Sequence, residues 1–565
     1  MNQTRVFLIF AWLMVATLLW VEWGKEQSAA QAPANVETST AATSAAVPGT
    51  DAVPDAPAAA APTAPSADAA APATTTASPS APVVTVTTDV LRLTLDGGSV
   101  RSAQLLRYPQ EAGKAGAPVQ LFDPTPTRFF AAQSGWASSN GAPTPTHVAG
   151  FVPEGSARDF ALAPGAAAVS VPFVWQGNGV TIRRTYTFKR GDYAIDVRDE
   201  VINQGNTRWQ GYVYRQLMRN PPPQKSGYTD PEAFSFHGAA WYSPQDKYEK
   251  RKYDKFGDEP LDKQVTGGWI ALLQHYFFTA WIPGANDTSK FSLATLNDGG
   301  TRYVVRAVGP AVDVAPGAKA QVDARLWVGP KLVSNIEAQN VPGLTRAVDF
   351  SSYSTMATLA GWLFWVLAKI HAVVGNWGWS IIGLVVLIRL LLYPIAAKQF
   401  QSMAKMRKLQ PRMQQLKERY GDDRQKLQMA TMELYKKEKV NPAAGCLPVF
   451  IQMPIFLALY WMLSESVELR HAPWIGWITN LSARDPYFIL PVLNVLIMWT
   501  TQKLTPMTGM DPAQQKMMQM MPLVMGVMFA FFPAGLVLYW VTNGALGLLQ
   551  QWWMLRRFGG EPAKA

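Results

Sequence analysis

Residues 376–400 read NWGWSIIGLVVLIRLLLYPIAAKQF, and the rest of the chain is organised around this stretch. Its apolar part, 377–397, has the length of a bilayer-spanning helix, about 20 residues. It nevertheless carries a full positive charge, Arg389, near its middle. A guanidinium at the bilayer centre costs roughly 2.5–3.5 kcal/mol on insertion scales, so it is expected to face a polar, water-reachable cavity between helices. Lys398 follows and opens a strongly basic segment. The chemistry of the protein is expected around Arg389.

Working forward, residues 398–441 hold 12 Lys/Arg against 5 Asp/Glu. Met403, Met406, Leu409, Met413, Leu416 and Tyr420 step by three or four, a turn follows at 421–423, and Leu427, Ala430, Leu434 and Tyr435 mark a return helix. The pattern predicts an antiparallel helical hairpin with a charged exterior. A solvated face explains most of the charge; the surplus suits anionic lipid or ribosomal RNA. Further apolar runs at 442–464, 486–503, 517–533 and 534–555 read as four more spans, the last two joined by a tight connection at 532–534.

Working backward, the apolar run 350–374 is long enough to span a membrane but is interrupted by Lys369 and His371. A span there would move the β domain into the cytoplasm; 346–376 therefore reads as an amphipathic helix lying in the interface, with Trp362 and Trp365 at head-group depth. Residues 83–345 alternate with period two, as in VVTVTTDVLRLTLDGGSV and in 180–203, 268–283, 301–308 and 320–330, with GD, NDGG and PG turns between. This predicts a large antiparallel β-sandwich. Its acids Asp196, Asp199 and Glu200 are expected on a solvated strand edge. Residues 25–82 contain no Leu, Ile, Met, Phe, Tyr or Trp and cannot bury enough apolar surface to order, so they read as a disordered linker. The run Val6–Val21, with Arg5 before it, has the form of a signal peptide or an anchor. Trp12, Trp20 and Trp23 and the lack of a small-x-small site directly after it favour 1–24 as an uncleaved first anchor, while the Ala-rich sequence from Ala29 leaves cleavage open.

Composition excludes several classes. With 565 residues and a net charge of +11 the chain has room for several domains and an affinity for anionic partners. The one cysteine, Cys446, permits no intrachain disulfide, and the five histidines are scattered, so no metal or cofactor is expected. No phosphate-binding loop and no catalytic constellation is visible, and an enzyme is not expected. Placing the basic hairpin in the cytoplasm by the positive-inside tendency puts the β domain outside and both ends inside, and Lys503, Lys516 and Arg556–Arg557 all agree. The expected architecture is a six-span helical membrane protein.

With that frame, the motifs VGNWGWSIIGLVVLIRLLLYP, SMAKMRKLQPRMQQLKERYGDD, KVNPAAGCLPVFIQMPIFLALYWML, SVELRHAPW, DPYFILPVLN, DPAQQKMMQMMP and FPAGLVLYWVTN resemble those of the YidC membrane protein insertase family of Gram-negative type. The resemblance runs nearly end to end. It implies a periplasmic β-supersandwich, a cytoplasmic hairpin and a five-span core in the inner membrane. Function would be insertion and folding of nascent inner-membrane proteins without ATP, alone or beside the Sec translocon, with a monomer sufficing.

The resemblance further implies that Arg389 and Gln452 line a hydrophilic groove open to cytoplasm and lipid, and that Arg389 attracts acidic residues of the substrate's translocating tail. It marks Met453, Phe456, Leu459, Tyr539 and Trp540 as a substrate-contact path, although ordinary helix packing explains each equally well. Lys405, Arg407, Lys408, Arg412, Lys417 and Arg419 would recruit the ribosome and the signal-recognition machinery, with a contribution from the loop 504–516, and would meet anionic lipids. Three departures stand out: Val385 replaces a hydroxyl residue, Trp540 stands in place of a second tyrosine, and the segment after Met554 is short and mildly basic. Two other classes compete. A secondary transporter of an anionic solute predicts internal repeats or paired broken helices, and a membrane-tethered periplasmic carbohydrate-binding protein predicts a carboxylate-lined cleft; neither signature is visible.

Overall fold

The computed structural model describes residues 82–565 except 112–115, 139–141, 223–234, 298–299, 352, 398–408, 422, 439–446, 505–511 and 559–565. The anchor 1–24, the linker to residue 81, and Lys405, Arg407 and Lys408 lie outside the described residues, as does the side chain of Lys417.

The alternating segments form two sheets among the described residues. The first has ten strands, ordered Asp262–Thr266, Thr288–Leu296, Arg302–Val314, Trp209–Arg219, Phe130–Ala137, Ser99–Pro109, Leu91–Leu95, Val84–Thr87 and Asp159–Ala161, with Pro118–Phe122 beside Ser99–Pro109. The second has nine, ordered Lys247–Lys252, Gly238–Ser243, Trp269–Leu273, Phe277–Pro283, Lys319–Pro330, Ala194–Asn203, Val180–Lys189, Ala168–Gly177 and Val152–Pro153. Pairing is antiparallel except where Val84–Thr87 meets Asp159–Ala161. In Val180–Lys189, residues 180, 182, 184, 186 and 188 are buried while their neighbours turn outward, as a half-buried strand requires. Trp136, Trp241, Trp269, Trp281 and Trp327 are fully enclosed and supply much of the core's apolar area.

One expectation is corrected. Asp199 does not sit on a solvated edge: Ala194–Asn203 is an interior strand, and the alternation that buries Val197 and Val201 also turns Asp199 inward. Its cross-strand neighbour is Arg184. The Arg184 Nε and second guanidinium nitrogen donate to the two carboxylate oxygens at 2.7 and 2.6 Å, and Trp136 Nε1 donates at 2.9 Å. Asp196 and Glu200 do face outward, near Lys189 and Lys319.

The helical part contains α1 (Ser354–Val374), α2 (Trp377–Leu391), α3 (Gln410–Tyr420), α4 (Arg424–Lys437), α5 (Leu447–Glu465), α6 (Ile489–Leu504), α7 (Pro512–Phe529) and α8 (Ala534–Phe558). Among the described residues, α1 alone is long and apolar enough to cross a membrane; α2, α6 and residues 516–529 are shorter apolar helices. α1 buries one stripe, Ala360, Phe364 and Leu367, against α2 and α5, and leaves Trp362 and Trp365 exposed. Gly375 ends it in the left-handed region at φ 72°, which costs glycine nothing and lets α2 start two residues later. α2 breaks at Leu392, and residues 393–397 resume as helix. Pro394 accounts for the break, since it has no N–H to give and its ring crowds the preceding turn.

α3 and α4 pack as the expected two-helix hairpin. Asp423 caps α4 by accepting from the Lys426 N–H at 3.1 Å. Arg412 and Arg419 lie on its exposed exterior, Arg412 paired with Glu438.

The β-sandwich is joined to the far end of α5 by polar contacts. Lys331, just past the last strand, is wholly enclosed and meets Glu465 at 3.3 Å. His275 Nε2 lies 2.8 Å from the Ser464 carbonyl, and Arg470 donates to the Gln110 carbonyl at 3.2 Å. Burial pushes the Glu465 carboxyl up to about 7 despite Lys331, and burial lowers His275 to about 3.

Candidate functional site: a polar seat between α2, α5 and α8

The end of the bundle where α2, α6 and α8 begin is closed by the loop 467–488. Asn376 caps α2, its Oδ1 accepting from the Trp379 N–H at 3.2 Å while its Nδ2 donates to the Pro473 and Trp474 carbonyls at 3.2 and 3.1 Å. Asp485 accepts from the Leu490 and Tyr487 N–H groups at 2.8 and 3.1 Å and from Trp477 Nε1 at 3.0 Å, fixing the start of α6. Ala534 and Gly535 at the head of α8 donate to the Ala483 and Leu481 carbonyls at 2.7 and 2.8 Å. Ile478 and Leu481 are buried beneath this lid.

Arg389 lies twelve residues beyond Trp377 on α2, about 18 Å from the closed end at 1.5 Å per residue. It is half-buried, and α8 holds it. Nε donates to Asn543 Oδ1 at 2.8 Å, one terminal nitrogen donates to the Asn543 carbonyl at 2.6 Å, and the other reaches Gln550 Oε1 at 3.4 Å. Among the described residues no carboxylate pairs with it. Its hydrogen bonds go to neutral acceptors, which satisfy donors without cancelling charge.

Asn543, Gly547 and Gln550 are spaced four and three apart and so share one face of α8. A Cβ on Gly547 would stand 2.9 Å from a terminal nitrogen of Arg389, so the absence of a side chain lets the guanidinium lie against α8. Gly547→Ala is expected to leave folding intact, since the obstructing atom ends a flexible side chain and alanine favours helix by about 1 kcal/mol. It should weaken Arg389-dependent activity about two- to tenfold, the loss of roughly one hydrogen bond of 0.5–1.5 kcal/mol. Thermal unfolding and an activity assay on the same sample separate the two effects.

The other residues expected at the site are distributed unevenly. Gln452 is partly buried, and both it and the Arg389 charge act on the buried Tyr539 hydroxyl. Phe456 stacks beside Tyr539 with centroids 6.5 Å apart and meets Trp540 at 5.0 Å; Phe529 closes on Trp540 from α7 at 5.3 Å. Met453 is 49% exposed. Leu459, at 0% exposure, is core, and Tyr539 is nearly so. Val385, one turn before Arg389, is also core.

Sequence reasoning missed Asn543, Gly547 and Gln550. Their signal was present as two amides in an apolar helix at positions that share a face with a glycine.

A β-sandwich joined to a bundle of apolar helices, with a cation of α2 seated among amides of α8, is the architecture of a membrane protein. The chain belongs to the YidC family of membrane protein insertases. Residues 83–366 match the YidC periplasmic domain and residues 369–561 match the 60Kd inner membrane protein family. It is 58% identical to the membrane protein insertase YidC of Xanthomonas campestris pv. campestris, covering 100% of this chain and 99% of that one. It is 56% identical to that of Stenotrophomonas maltophilia, covering 100% and 98%. A crystal structure of an active YidC insertase with its first transmembrane domain resolved matches over 83% of this chain and 94% of the other, at 17% identity and a TM-score of 0.36.

Proposed function

We propose that insertion proceeds through the seat of Arg389. The observation that carries this reading is a half-buried guanidinium held by Asn543 and Gln550 with no carboxylate partner among the described residues. Such a cation keeps its attraction for an anion while its position is already paid for by neutral amides. An acidic residue in the translocating tail of a nascent inner-membrane protein meets it from the side away from the 467–488 lid. Partial burial strengthens the attraction over its value in water. Hydrophobic partitioning of the following segment into lipid then draws the tail onward. No nucleotide enters this scheme.

In this reading 1–24, 377–397, 442–464, 486–503, 517–533 and 534–555 span the inner membrane with both ends in the cytoplasm. The β-sandwich lies in the periplasm and α1 in the interface. The α3–α4 hairpin faces the ribosome, the signal-recognition machinery and anionic lipid, and the protein works alone or beside the Sec translocon, as a monomer. Met453 and Phe456 form the outer part of the substrate path, and Leu459 joins it only when α5 and α8 separate.

The test is photo-crosslinking of a stalled single-span substrate with the reactive group placed singly at Gln452, Met453, Phe456, Leu459, Val492 or Leu496 of the full-length protein. Adducts at 452, 453 and 456, weak at 459, are expected. Strong adducts confined to the far face of α6, at Val492 or Leu496, would sink the groove reading.

A further inference from the structure

α7 carries a proline in its interior, Pro522. Proline has no N–H, so the Met518 carbonyl one turn earlier loses its donor within the helix. Among apolar surroundings a neighbouring helix has to supply another. Gln502 does so: from the last turn of α6 its Nε2 donates to the Met518 carbonyl. The two halves of α7 on either side of the break are held differently. Beyond it, Pro522, Gly526 and Phe529 are buried. Gly526 lies so close to α6 that a Cβ there would run into Val495, and Phe529 packs on Trp540 of α8 with ring centroids 5.3 Å apart. Before the break, no described side chain of 516–521 is buried, and Met517, Met520 and Met521 are exposed. This exposed half stands at the end of the bundle opposite the 467–488 lid, since α7 finishes where α8 begins.

A packed half and an exposed half joined at a missing ladder bond make a hinge, because the helix bends there without breaking a further bond of its own. The side chain that replaces the missing bond decides how firmly the hinge is held. We propose that Gln502 is a positioning residue for insertion: it latches this hinge, and its release lets residues 512–521 swing from α6 and widen the open end of the bundle for the span of a nascent protein. The moving half carries Met517, Met518, Met520 and Met521. Such a surface suits spans of unrelated sequence, since an unbranched thioether repacks at little cost. The proposal rests on the reading that the substrate passes between these helices; distances measured without substrate keep the two ideas apart.

The test is double electron–electron resonance on full-length Cys446→Ser protein in nanodiscs, with spin labels at Leu496 and Met520. A second pair, Leu496 and Val527, is the reference across the packed half; all three label sites are exposed. The 496–520 pair should show two populations. Gln502→Met keeps the length of the side chain and removes its donor, so it should raise the longer population about two- to tenfold, the factor one hydrogen bond is worth. The 496–527 distance should stay unchanged. Pro522→Ala restores the missing N–H. It should deplete the longer population, make Gln502→Met silent in the double variant, and slow insertion of a single-span substrate about two- to tenfold. A 496–520 distribution that Gln502→Met leaves unchanged overturns the latch. Equal broadening at 520 and 527 overturns it too, since Gln502 would then hold the helix pair as a whole. Insertion by Pro522→Ala at the wild-type rate, in protein that unfolds at the wild-type temperature, removes the hinge from the mechanism. If Pro522→Ala fails to fold, amide hydrogen exchange of the wild type decides: 517–521 should exchange faster than 523–529, and equal rates overturn the hinge. Two populations together with no substrate adducts at Gln452 or Met453 would leave the latch standing and overturn its role in insertion.

Discussion

Arg389→Ala is expected to reduce insertion of a single-span substrate with one acidic residue in its translocated tail by about 10- to 150-fold, while a tail without acid inserts nearly as before. The magnitude is that of a charge-assisted hydrogen bond in a partly buried site, about 1.5–3 kcal/mol. Arg389→Lys retains the charge but not the planar fork. Nε and a terminal nitrogen of arginine both engage Asn543, and an ammonium on a flexible stem cannot reproduce two donors in fixed directions. Lysine should therefore recover part of the acidic-tail insertion, not all of it. Proteoliposomes with protease protection of the tail read all three proteins against both substrates. Equal insertion of both tails by all three would make Arg389 a structural charge and end the charge-capture mechanism.

Lys331→Met is expected to be the most destabilising single change at the junction of the β-sandwich and the bundle. Breaking an enclosed ion pair by removing one partner costs about 3–5 kcal/mol, because the remaining charge is left in a poor solvent. Here that charge is Glu465, whose carboxyl burial has already raised to about 7 from an ordinary 4.5. A carboxyl raised in the folded state contributes stability that is fully present below pH 4.5 and lost as pH rises through about 7. Removing Lys331 takes away the cation that holds this value down, so the variant's deficit should be small at pH 6 and large at pH 8. Lys331→Met combined with Glu465→Leu should regain much of the loss, since an apolar pair of similar volume often replaces a buried ion pair without penalty. Unfolding midpoints of the full-length protein in detergent at the two pH values decide it. A deficit that shrinks towards pH 8 contradicts the account, because the stranded group would then not be a carboxylate.

These two residues differ in how far they could be read in advance. Arg389 is conspicuous in one dimension, a charge in an apolar run that water must reach. Lys331 is unremarkable in sequence; only folding brings it to Glu465, 134 positions away. The same contrast runs through the fold. The segments 180–203 and 268–283 declare their strands by alternation, and the hairpin α3–α4 by steps of three and four. Alternation also states that Asp199 shares a face with Val197 and Val201, but not that Arg184 and Trp136 wait on that face, so a charged residue was read as solvated. Among the helices, Gln452 was legible as a polar group in an apolar run. That Leu459 lies in the core was not legible, because its neighbours along a helix do not say which side another helix covers.

What this sequence determines by itself is period and composition: a β domain, a basic hairpin, apolar helices and one cation among them. These are local properties, set by the backbone repeat and by the cost of burying charge. What the tertiary structure alone decides is which distant groups meet. The seat of Arg389 depends on Asn543 and Gln550 arriving on α8 and on Gly547 leaving room for them all. The junction of sandwich and bundle depends on Lys331 finding Glu465. Burial of a polar group is tolerable only with a partner in place, and partners far apart in the chain are chosen by packing in three dimensions.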